Sequence, residues 1–338
     1  MSKSLKVLLL MDEAWVPRND PELRDQAAEP LTERHVAGAL RELGHEAAVL
    51  GVGEDVAAIV AALTESPPDL VFNLVEQFRY DRRMDKNVAG LLEMIGIPFT
   101  GSGPEGLMFC RDKGLCKQVL GPHRIRCPRF VQFPLHRNVR TPRNLEFPLI
   151  VKPQYQDASD GMAKTSIVRN EQELIERVRL VHENWAQLAI AEEYVEGREL
   201  YVSLLGNKRL TVFPARELLF GSSDENAPRI ATGRVKADQA YRQKWNIEYG
   251  FAELDDALAA RIARVCKRVY RLLRIRDYGR IDLRLTSDGQ IKILEANANP
   301  DVAYGEDFAE SAERAGVRYE QLIDRIVRLA LRRYEAER

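Results

Sequence analysis

The chain has 338 residues, of which 45% are hydrophobic and 30% are charged, a composition typical of a folded protein with two or three domains. Its net charge of -1 and its isoelectric point near 6.6 exclude an overall basic field of the kind that attracts nucleic acid or anionic membranes, and leave only local basic clusters as an alternative. The four cysteines lack metal-site spacing, and the first apolar run is too short for a signal sequence or a membrane span, so we predict a cytoplasmic protein with a small-molecule partner.

Predicted strands and helices alternate through the first hundred residues. The apolar run Lys6–Met11 predicts a buried strand. The helices and strands predicted after it span 32–43, 46–50, 54–63, 70–74, 87–95 and 98–100. This βαβαβ order predicts a parallel sheet with helices on both faces, a Rossmann-like domain over residues 1–102. No G-x-G-x-x-G motif follows the first strand, so dinucleotide binding is not supported.

The next segment contains a candidate phosphate-binding element. A helix is predicted at 110–120, and a strand at 147–151 ends in Lys152, before the loop QYQDASDGMAK that contains Ser159. Small residues in such a loop let backbone N–H groups approach phosphate oxygens. An ordinary surface lysine is the alternative interpretation. Strands at 188–192 and 199–205 follow, and their polar bend can present main-chain groups to a purine, although this pattern is unspecific.

A hairpin is predicted within residues 278–301. Two runs with alternating apolar residues flank Ser287-Asp288-Gly289-Gln290, and Asp-Gly between such runs is typical of a two-residue turn. The helix predicted at 319–333 has leucine and isoleucine spacing that favours packing on its own domain rather than on a partner protein.

Four side chains share one face of this hairpin in the predicted register. Asp282 lies opposite Glu295, and Arg280 lies opposite Asn297. Two carboxylates across a strand pair lie about 5 Å apart and repel, so we expect a cation between them. The oxygen donors of Asp282, Glu295 and Asn297 suit a hard ion such as Mg²⁺, and Arg280 can address an anion on the same metal. A solvated hairpin face and a slipped register are the alternatives.

The order of these motifs resembles the ATP-grasp superfamily and, within it, the D-alanine–D-alanine ligases. The resemblance rests on DKGLCK, FPLIVKP, EEYVEGREL, YGRIDLRL and LEANANP, which follow one another along most of the chain. It implies an α/β ATP-grasp fold in which the Rossmann-like domain is followed by two β-rich subdomains around ATP. The implied subdomains are a central one, 103–190, and a C-terminal one with the metal site, 191–338.

The resemblance also implies roles for individual residues. The residues implied to bind ATP are Lys113, Lys152 and Ser159 at the phosphates, Glu192, Tyr194 and Val195 at the adenine, and Glu199 at the ribose. Asp282, Glu295 and Asn297 are implied to be the ligands of two Mg²⁺ ions, with Mn²⁺ as an alternative ion. Arg280 is implied to contact an acyl phosphate during catalysis. Lys236 is implied to contact the γ-phosphate, with Arg234 as the alternative residue for this role.

The substrate-side motifs differ from those of the family. The glycine- and glutamate-containing element after the first strand is replaced by MDEAWVPRNDPELRDQ, the histidine-glycine pair by residues 73–77, and the acceptor-side glycine by Asp301. The candidate substrate residues are therefore Glu13, Glu76 and Asp301. A carboxylate at Asp301 would repel the carboxylate of an acceptor, so either the acceptor presents an amine or amide there, or Asp301 turns away to solvent.

These features predict an ATP-dependent carboxylate–amine ligase that acts through an acyl phosphate on amino-acid or peptide-like substrates. Such chemistry depends on positioning and charge neutralisation rather than on a side-chain nucleophile. An authentic D-alanine–D-alanine ligase with an unusual first domain is one alternative. A nucleotide-binding regulatory protein without catalysis is another. No nucleic-acid or membrane partner is expected, and a homodimer is left open.

Overall fold

Three β-sheets, each formed by a successive part of the chain, provide the framework of the protein. The computed structural model describes residues 4–13, 32–141, 143–156, 162–222, 224 and 230–337. The helices are α1 (Thr32–Glu42), α2 (Val56–Glu65), α3 (Asp85–Ile95), α4 (Pro104–Arg111), α5 (Lys113–Leu120), α6 (Glu171–Trp185), α7 (Gly233–Ala237), α8 (Gln239–Trp245), α9 (Asp256–Leu272), α10 (Asp307–Arg314) and α11 (Tyr319–Glu337). The strands are β1 (Lys6–Asp12), β2 (Glu46–Val52), β3 (Leu70–Asn73), β4 (Phe130–Phe133), β5 (Leu149–Pro153), β6 (Ile167–Val168), β7 (Ala189–Glu193), β8 (Arg198–Gly206), β9 (Leu210–Val212), β10 (Arg216–Phe220), β11 (Ile247–Phe251), β12 (Tyr278–Leu285) and β13 (Ile291–Ala298).

The first sheet is parallel, in the order β2-β1-β3, as the alternating sequence pattern predicts. Successive side chains of β1 point to opposite faces of this sheet. Leu8 and Leu10 pack with residues of α2 and α3, whereas Leu9 and Met11 pack with residues of α1. Helices therefore cover both faces, which confirms the predicted Rossmann-like arrangement.

The C-terminal helix α11 completes this first layer. Leu322, Ile323 and Ile326 lie in the same hydrophobic core as Leu9 of β1. The helix packs within its own chain, as predicted, and it contacts both the N-terminal sheet and the C-terminal part, including Leu205 of β8 and Phe308 of α10. The apolar spacing of α11 marks its buried face without identifying what that face covers.

The other two sheets enclose the candidate nucleotide site. The four-stranded sheet has the order β4-β7-β5-β6, with α6 packed on it. In the six-stranded sheet the path is β11-β10-β8-β12-β13, and β9 pairs with β8. The predicted division into three domains stays a prediction, and its second boundary, at 190/191, falls inside β7.

The buried Asp277 ties the end of the first segment to the C-terminal part. Its carboxylate accepts hydrogen bonds from Gly101 N at 2.9 Å, Asn207 Nδ2 at 2.8 Å and Arg333 Nη2 at 3.1 Å. Arg333 also donates to Phe99 O at 2.7 Å. These contacts join parts of the chain that carry the walls of the site described below. Within the described ranges, no helix is long and apolar enough to cross a membrane.

The single helix predicted at 110–120 is wrong, because α4 and α5 are separate helices that meet at Asp112. Asp112 is extended, with φ -89° and ψ 99°, and its side chain accepts from Leu115 N at 2.9 Å as the N-cap of α5. Gln154 Nε2 donates to the same carboxylate at 2.7 Å. The break places Lys113 in the first turn of α5.

Candidate functional site

The hairpin of β12 and β13 carries the predicted metal-binding face. Asp282 lies opposite Glu295 and Arg280 lies opposite Asn297, which confirms the predicted register at these positions. Alternation along each strand directs all four side chains to one face. Asp282 and Glu295 are each only 6% exposed, so the alternative of a solvated hairpin face is wrong.

The turn and a bulge each shift the pairing of β12 with β13 by one residue, in opposite directions, and together they give this register. The predicted two-residue turn is wrong, because Thr286 N donates to Gln290 O at 3.0 Å and closes a three-residue loop. Gly289, at φ +76°, is the left-handed residue that such a loop requires. A β-bulge at Leu294 then shifts the pairing back by one residue.

Each carboxylate of this face has its own cationic partner. Arg280 donates to Asp282 twice, from Nε at 2.8 Å and from Nη2 at 3.0 Å. Asn297 Nδ2 donates to Asp282 Oδ2 at 3.1 Å. Lys113 Nζ lies 3.1 Å from Glu295 Oε1. Burial opposes the charge on Arg280, but Asp282 outweighs it and raises the pKa of the guanidinium well above its ordinary value.

The donor atoms of this face fit a hard divalent cation. Over the described ranges, no three His, Cys, Asp or Glu side chains gather to hold a metal ion. Asp282 and Glu295 supply two carboxylates across one strand pair, so the third protein donor is the amide oxygen of Asn297. An all-oxygen set with few protein ligands is typical of Mg²⁺, which retains several waters and is shared with phosphates.

A buried ion-pair cluster lies beside this face. Lys117 Nζ of α5 lies 2.8 Å from Glu192 Oε1, and Lys152 Nζ of β5 lies 3.0 Å from Glu192 Oε2. Lys117 also donates to the carbonyl oxygen of Leu294, the bulged residue, at 2.9 Å. Burial lowers the pKa of Lys152. For Lys117, burial is outweighed by Glu192 and the pKa is raised.

Five of the seven predicted ATP-binding residues line one cleft, whereas Lys113 does not line it and Ser159 lies outside the described residues. Lys152, Glu192, Tyr194, Val195 and Glu199 all line it. The remaining wall includes the apolar side chains of Met162, Ile230 and Ala231. Lys152 is 6% exposed, so the interpretation as a surface lysine is wrong. The cleft combines an apolar surface with convergent charges, as nucleotide sites do.

The predicted ribose-binding residue, Glu199, is already part of a polar network. Tyr201 OH donates to Glu199 Oε1 at 2.8 Å, and Arg284 pairs with Glu199 Oε2. Arg284 also donates to the carbonyl oxygen of Gly197 at 2.6 Å. Arg284 lines the same cleft and directly neighbours Glu199 across β12 and β8. The carboxylate of Glu199 is therefore positioned by two side chains of the same sheet.

A second cavity, of about 200 Å³, adjoins this cleft. It is lined by residues of the first domain and of the hairpin, and it includes the predicted substrate residues Glu76 and Asp301. Asp282 and Glu295 line both the cavity and the nucleotide cleft. The two spaces therefore meet at the two opposed carboxylates of the hairpin.

The third predicted substrate residue, Glu13, does not line this cavity. Its side chain is exposed and lies against Gly53. The neighbouring Asp12 is buried instead and accepts from Glu76 N at 3.2 Å and Gln77 N at 3.3 Å. Burial raises the pKa of Asp12 above its ordinary value. Asp12 and Glu13 are consecutive at the end of β1 and point in opposite directions, so that only Asp12 is buried.

For two predicted site residues, the structure does not describe the side chain. Ser159 and the side chain of Lys236 lie outside the described part of the chain, although the backbone of Lys236 belongs to α7. The alternative to Lys236, Arg234, lies in the same helix. Its Nη2 is 3.4 Å from Asp238 Oδ2, and its guanidinium lies over the ring of Tyr241. Their roles at the γ-phosphate stay predictions.

Lys117 and Arg284 are site residues to which sequence reasoning assigned no role. Lys117 follows Lys113 by four residues, so a shared helix face was the available signal. Arg284 follows Asp282 by two residues, and the same alternation that placed the metal face also places Arg284 on it. Their partners, Glu192 and Glu199, come from other strands and gave no local signal.

Comparisons with known proteins identify the family that this chain resembles. The family described as "D-ala D-ala ligase C-terminus" matches residues 129–328. An uncharacterized protein, y4sG, of Sinorhizobium fredii is 32% identical over 306 residues, covering 88% of this chain and 87% of that protein. A D-alanine–D-alanine ligase of Bordetella petrii is 30% identical over 308 residues, covering 88% of this chain and 86% of that enzyme.

Solved structures show the same fold. The D-alanine–D-alanine ligase of Bacillus anthracis complexed with ATP superposes with a TM-score of 0.75 at 21% identity, covering 98% of this chain and 100% of that chain. The D-alanine–D-alanine ligase of Coxiella burnetii superposes with a TM-score of 0.73 at 15% identity, covering 99% and 96%. These likenesses confirm the fold class that the motif order predicts.

Proposed function

The chain belongs to the family of the D-ala D-ala ligase C-terminus, and from this membership we propose that it is an ATP-dependent ligase that joins a carboxylate to an amine. One observation carries the proposal: Asp282 and Glu295 line both the nucleotide cleft and the adjoining cavity. A phosphoryl group bound at these carboxylates would have ATP on one side and a substrate on the other.

The cleft side of the site is proposed to bind ATP. Lys113 and Lys152 would exchange part of their contact with Glu295 and Glu192 for phosphate oxygens, because a triphosphate offers a higher density of negative charge. Glu192, Tyr194 and Val195 would surround the adenine, and Glu199 would accept from the ribose hydroxyls. The relative from Bacillus anthracis was solved with ATP, which supports nucleotide binding here.

The hairpin face is proposed to hold two Mg²⁺ ions, with Mn²⁺ as an alternative, through Asp282, Glu295 and Asn297. When bound, the ions neutralise the charge of the phosphates during transfer. The ammonium of Lys113 already contacts Glu295 and would be drawn toward phosphate once this carboxylate has a metal to bind. Arg280, fixed by two hydrogen bonds to Asp282, presents its charge to the cavity.

The proposed reaction has two steps. A substrate carboxylate oxygen attacks the γ-phosphorus of ATP, and ADP leaves to give an acyl phosphate. An amine then attacks the acyl carbon, the C–O bond to phosphate breaks, and the amine loses a proton as phosphate departs. Arg280 stabilises the negative charge of the acyl phosphate. Cys110 also lines the cavity, and burial raises the pKa of its thiol well above the ordinary value, which disfavours the thiolate.

ADP release that requires both a carboxylate and an amine distinguishes this ligase from a nucleotide-binding regulator. We expect purified protein with ATP, Mg²⁺ and a panel of amino-acid pairs to release ADP with at least one pair and to form the corresponding amide, detected by mass spectrometry. Millimolar D-alanine alone is expected to give little product, because Glu76 and Asp301 replace the family's substrate-side residues. Rapid formation of D-alanyl-D-alanine would favour the authentic-ligase alternative.

We expect Lys152→Met to weaken ATP binding by about tenfold to a hundredfold. The variant removes a charge-assisted contact to phosphate, worth roughly 1.5–3 kcal/mol. Glu192 keeps Lys117 as its partner, so the fold should be preserved. The matched control is Lys208→Met, which removes the same charge from an exposed turn. The dissociation constant of ATP, measured by calorimetry, would be equal in both variants if Lys152 does not contact the nucleotide.

The predicted cytoplasmic location and the predicted lack of a nucleic-acid partner stay predictions, and a homodimer stays open. The proposed partners are small molecules, because the cavity of about 200 Å³ is of the size that holds an amino acid rather than a folded protein.

A further inference from the structure

The cavity beside the hairpin is lined by six carboxylates, and four of them have a cationic partner. Those four pairs are Asp282 with Arg280 at 2.8 Å, Asp85 with Arg111 at 2.7 Å, Glu76 with Arg82 at 3.0 Å and Glu295 with Lys113 at 3.1 Å. Glu33 and Asp301 have no cationic partner within the described parts of the chain. The cavity therefore holds two negative charges that the described residues do not balance.

Among the described residues, the hydrogen bonds of the Asp301 carboxylate leave its Oδ2 without a donor. Asp301 accepts from Thr32 Oγ1 at 2.6 Å and from Ala303 N at 2.8 Å, and both bonds go to Oδ1. Glu33 follows Thr32 in the first turn of α1, so the Thr32 contact brings the two acids together. Burial raises the pKa of Glu33, and the negative charges of Asp301 and Asp12 raise it further. A cation bound between Glu33 and Asp301 would relieve this repulsion.

A third side chain points independently to a ligand in the same cavity. Asn73 is only 1% exposed and lines the cavity. Its Oδ1 accepts from Val75 N at 3.3 Å, whereas its Nδ2 has no hydrogen-bond partner among the described residues. A buried amide N–H group without a partner costs free energy, and a ligand oxygen would satisfy it.

We propose that the amine acceptor of this ligase is a basic amino acid, with its charged side chain held between Glu33 and Asp301 and an oxygen accepting from Asn73. The inference rests on the proposed function for the identity of the reaction, but the binding that it predicts can be measured without turnover. The attacking amine is neutral, its nitrogen forms the bond to the acyl carbon and loses a proton, and phosphate leaves with the electron pair of the broken C–O bond. The second basic group stays protonated and binds only through charge.

Lysine and norleucine test this inference, since they share a carbon skeleton and differ in the terminal ammonium. We expect D- or L-lysine to bind the full chain about tenfold more tightly than the matching norleucine, in calorimetry with Mg²⁺ and a non-hydrolysable ATP analogue. Asp301→Asn and Glu33→Gln should each remove most of that preference. Glu65→Gln, an equal charge change on the exposed end of α2, should keep it. An unchanged affinity for the ATP analogue confirms that each variant is folded.

Different results would contradict the inferred basic acceptor and the proposed ligase activity. Equal binding of lysine and norleucine, or a full preference for lysine in Asp301→Asn and Glu33→Gln, would overturn the inference. Amide formation with norleucine as readily as with lysine would overturn it too, while supporting the ligase. Preferential lysine binding without ADP release for any donor carboxylate would support the cation site and contradict the ligase proposal.

Discussion

Asp282→Asn is expected to reduce ADP release by about a hundredfold to a thousandfold, because it removes one of the two carboxylates that line both the cleft and the cavity. Asparagine keeps the shape of the side chain and an oxygen acceptor for Arg280. The charge that would hold Mg²⁺ and orient the guanidinium is lost. Glu295→Gln should have a similar effect, since Glu295 is the opposed ligand on β13.

Isosteric substitution is needed here because the carboxylates are paired with buried cations. Asp282→Ala would leave Arg280 without its ion pair in a buried site, and the resulting instability would obscure the kinetic effect. The matched control is Asp288→Asn in the exposed turn of the same hairpin, for which turnover should not change. Wild-type turnover of Asp282→Asn at ordinary Mg²⁺ concentrations, in a coupled ADP assay, would refute its role as a metal ligand.

The second large effect is expected from loss of the Glu192 carboxylate, which should lower the stability of the fold. Glu192→Leu should lower the free energy of unfolding by about 3–5 kcal/mol, since it leaves Lys117 and Lys152 buried with no shared counter-charge. A triple variant that also replaces both lysines with methionine should recover much of this loss, because an apolar cluster of similar volume has no uncompensated charge. Urea unfolding of the three proteins measures the difference. A triple variant no more stable than Glu192→Leu would contradict this explanation.

The same cluster gives the protein a defined response to acid. Burial alone would raise the pKa of Glu192, but Lys117 and Lys152 together lower it below its ordinary value of 4.5. The unfolded chain therefore binds this proton more tightly than the folded chain does. The stabilising contribution is complete above pH 4.5 and is lost as the pH falls through the folded pKa. Glu192→Gln should flatten this part of the stability profile below pH 4.5, and an unchanged slope would contradict the assignment.

The sequence by itself determined the features that depend on local periodicity. The alternation of β1 with the helices around it predicted the parallel first sheet, and the order of the motifs predicted the fold. The facing pair of Asp282 and Glu295 was also predicted, although the turn was not. That register is correct because the three-residue loop and the bulge at Leu294 shift it by equal and opposite amounts. Side-chain direction along a strand follows from backbone geometry, which nearby residues suffice to define.

Only the tertiary structure decided which distant charges are partners. Glu192 meets Lys152 because β7 pairs with β5, and it also meets Lys117 of α5, while Arg284 meets Glu199 because β12 pairs with β8. The C-terminal helix covers the first sheet as well as α10, its neighbour in sequence. Periodicity identifies which face of an element is buried, but every apolar face is nearly equivalent as a packing partner. The choice among partners depends on how the whole chain closes, and that choice places Glu33 and Asp301, which have no cationic partner among the described residues, in one cavity.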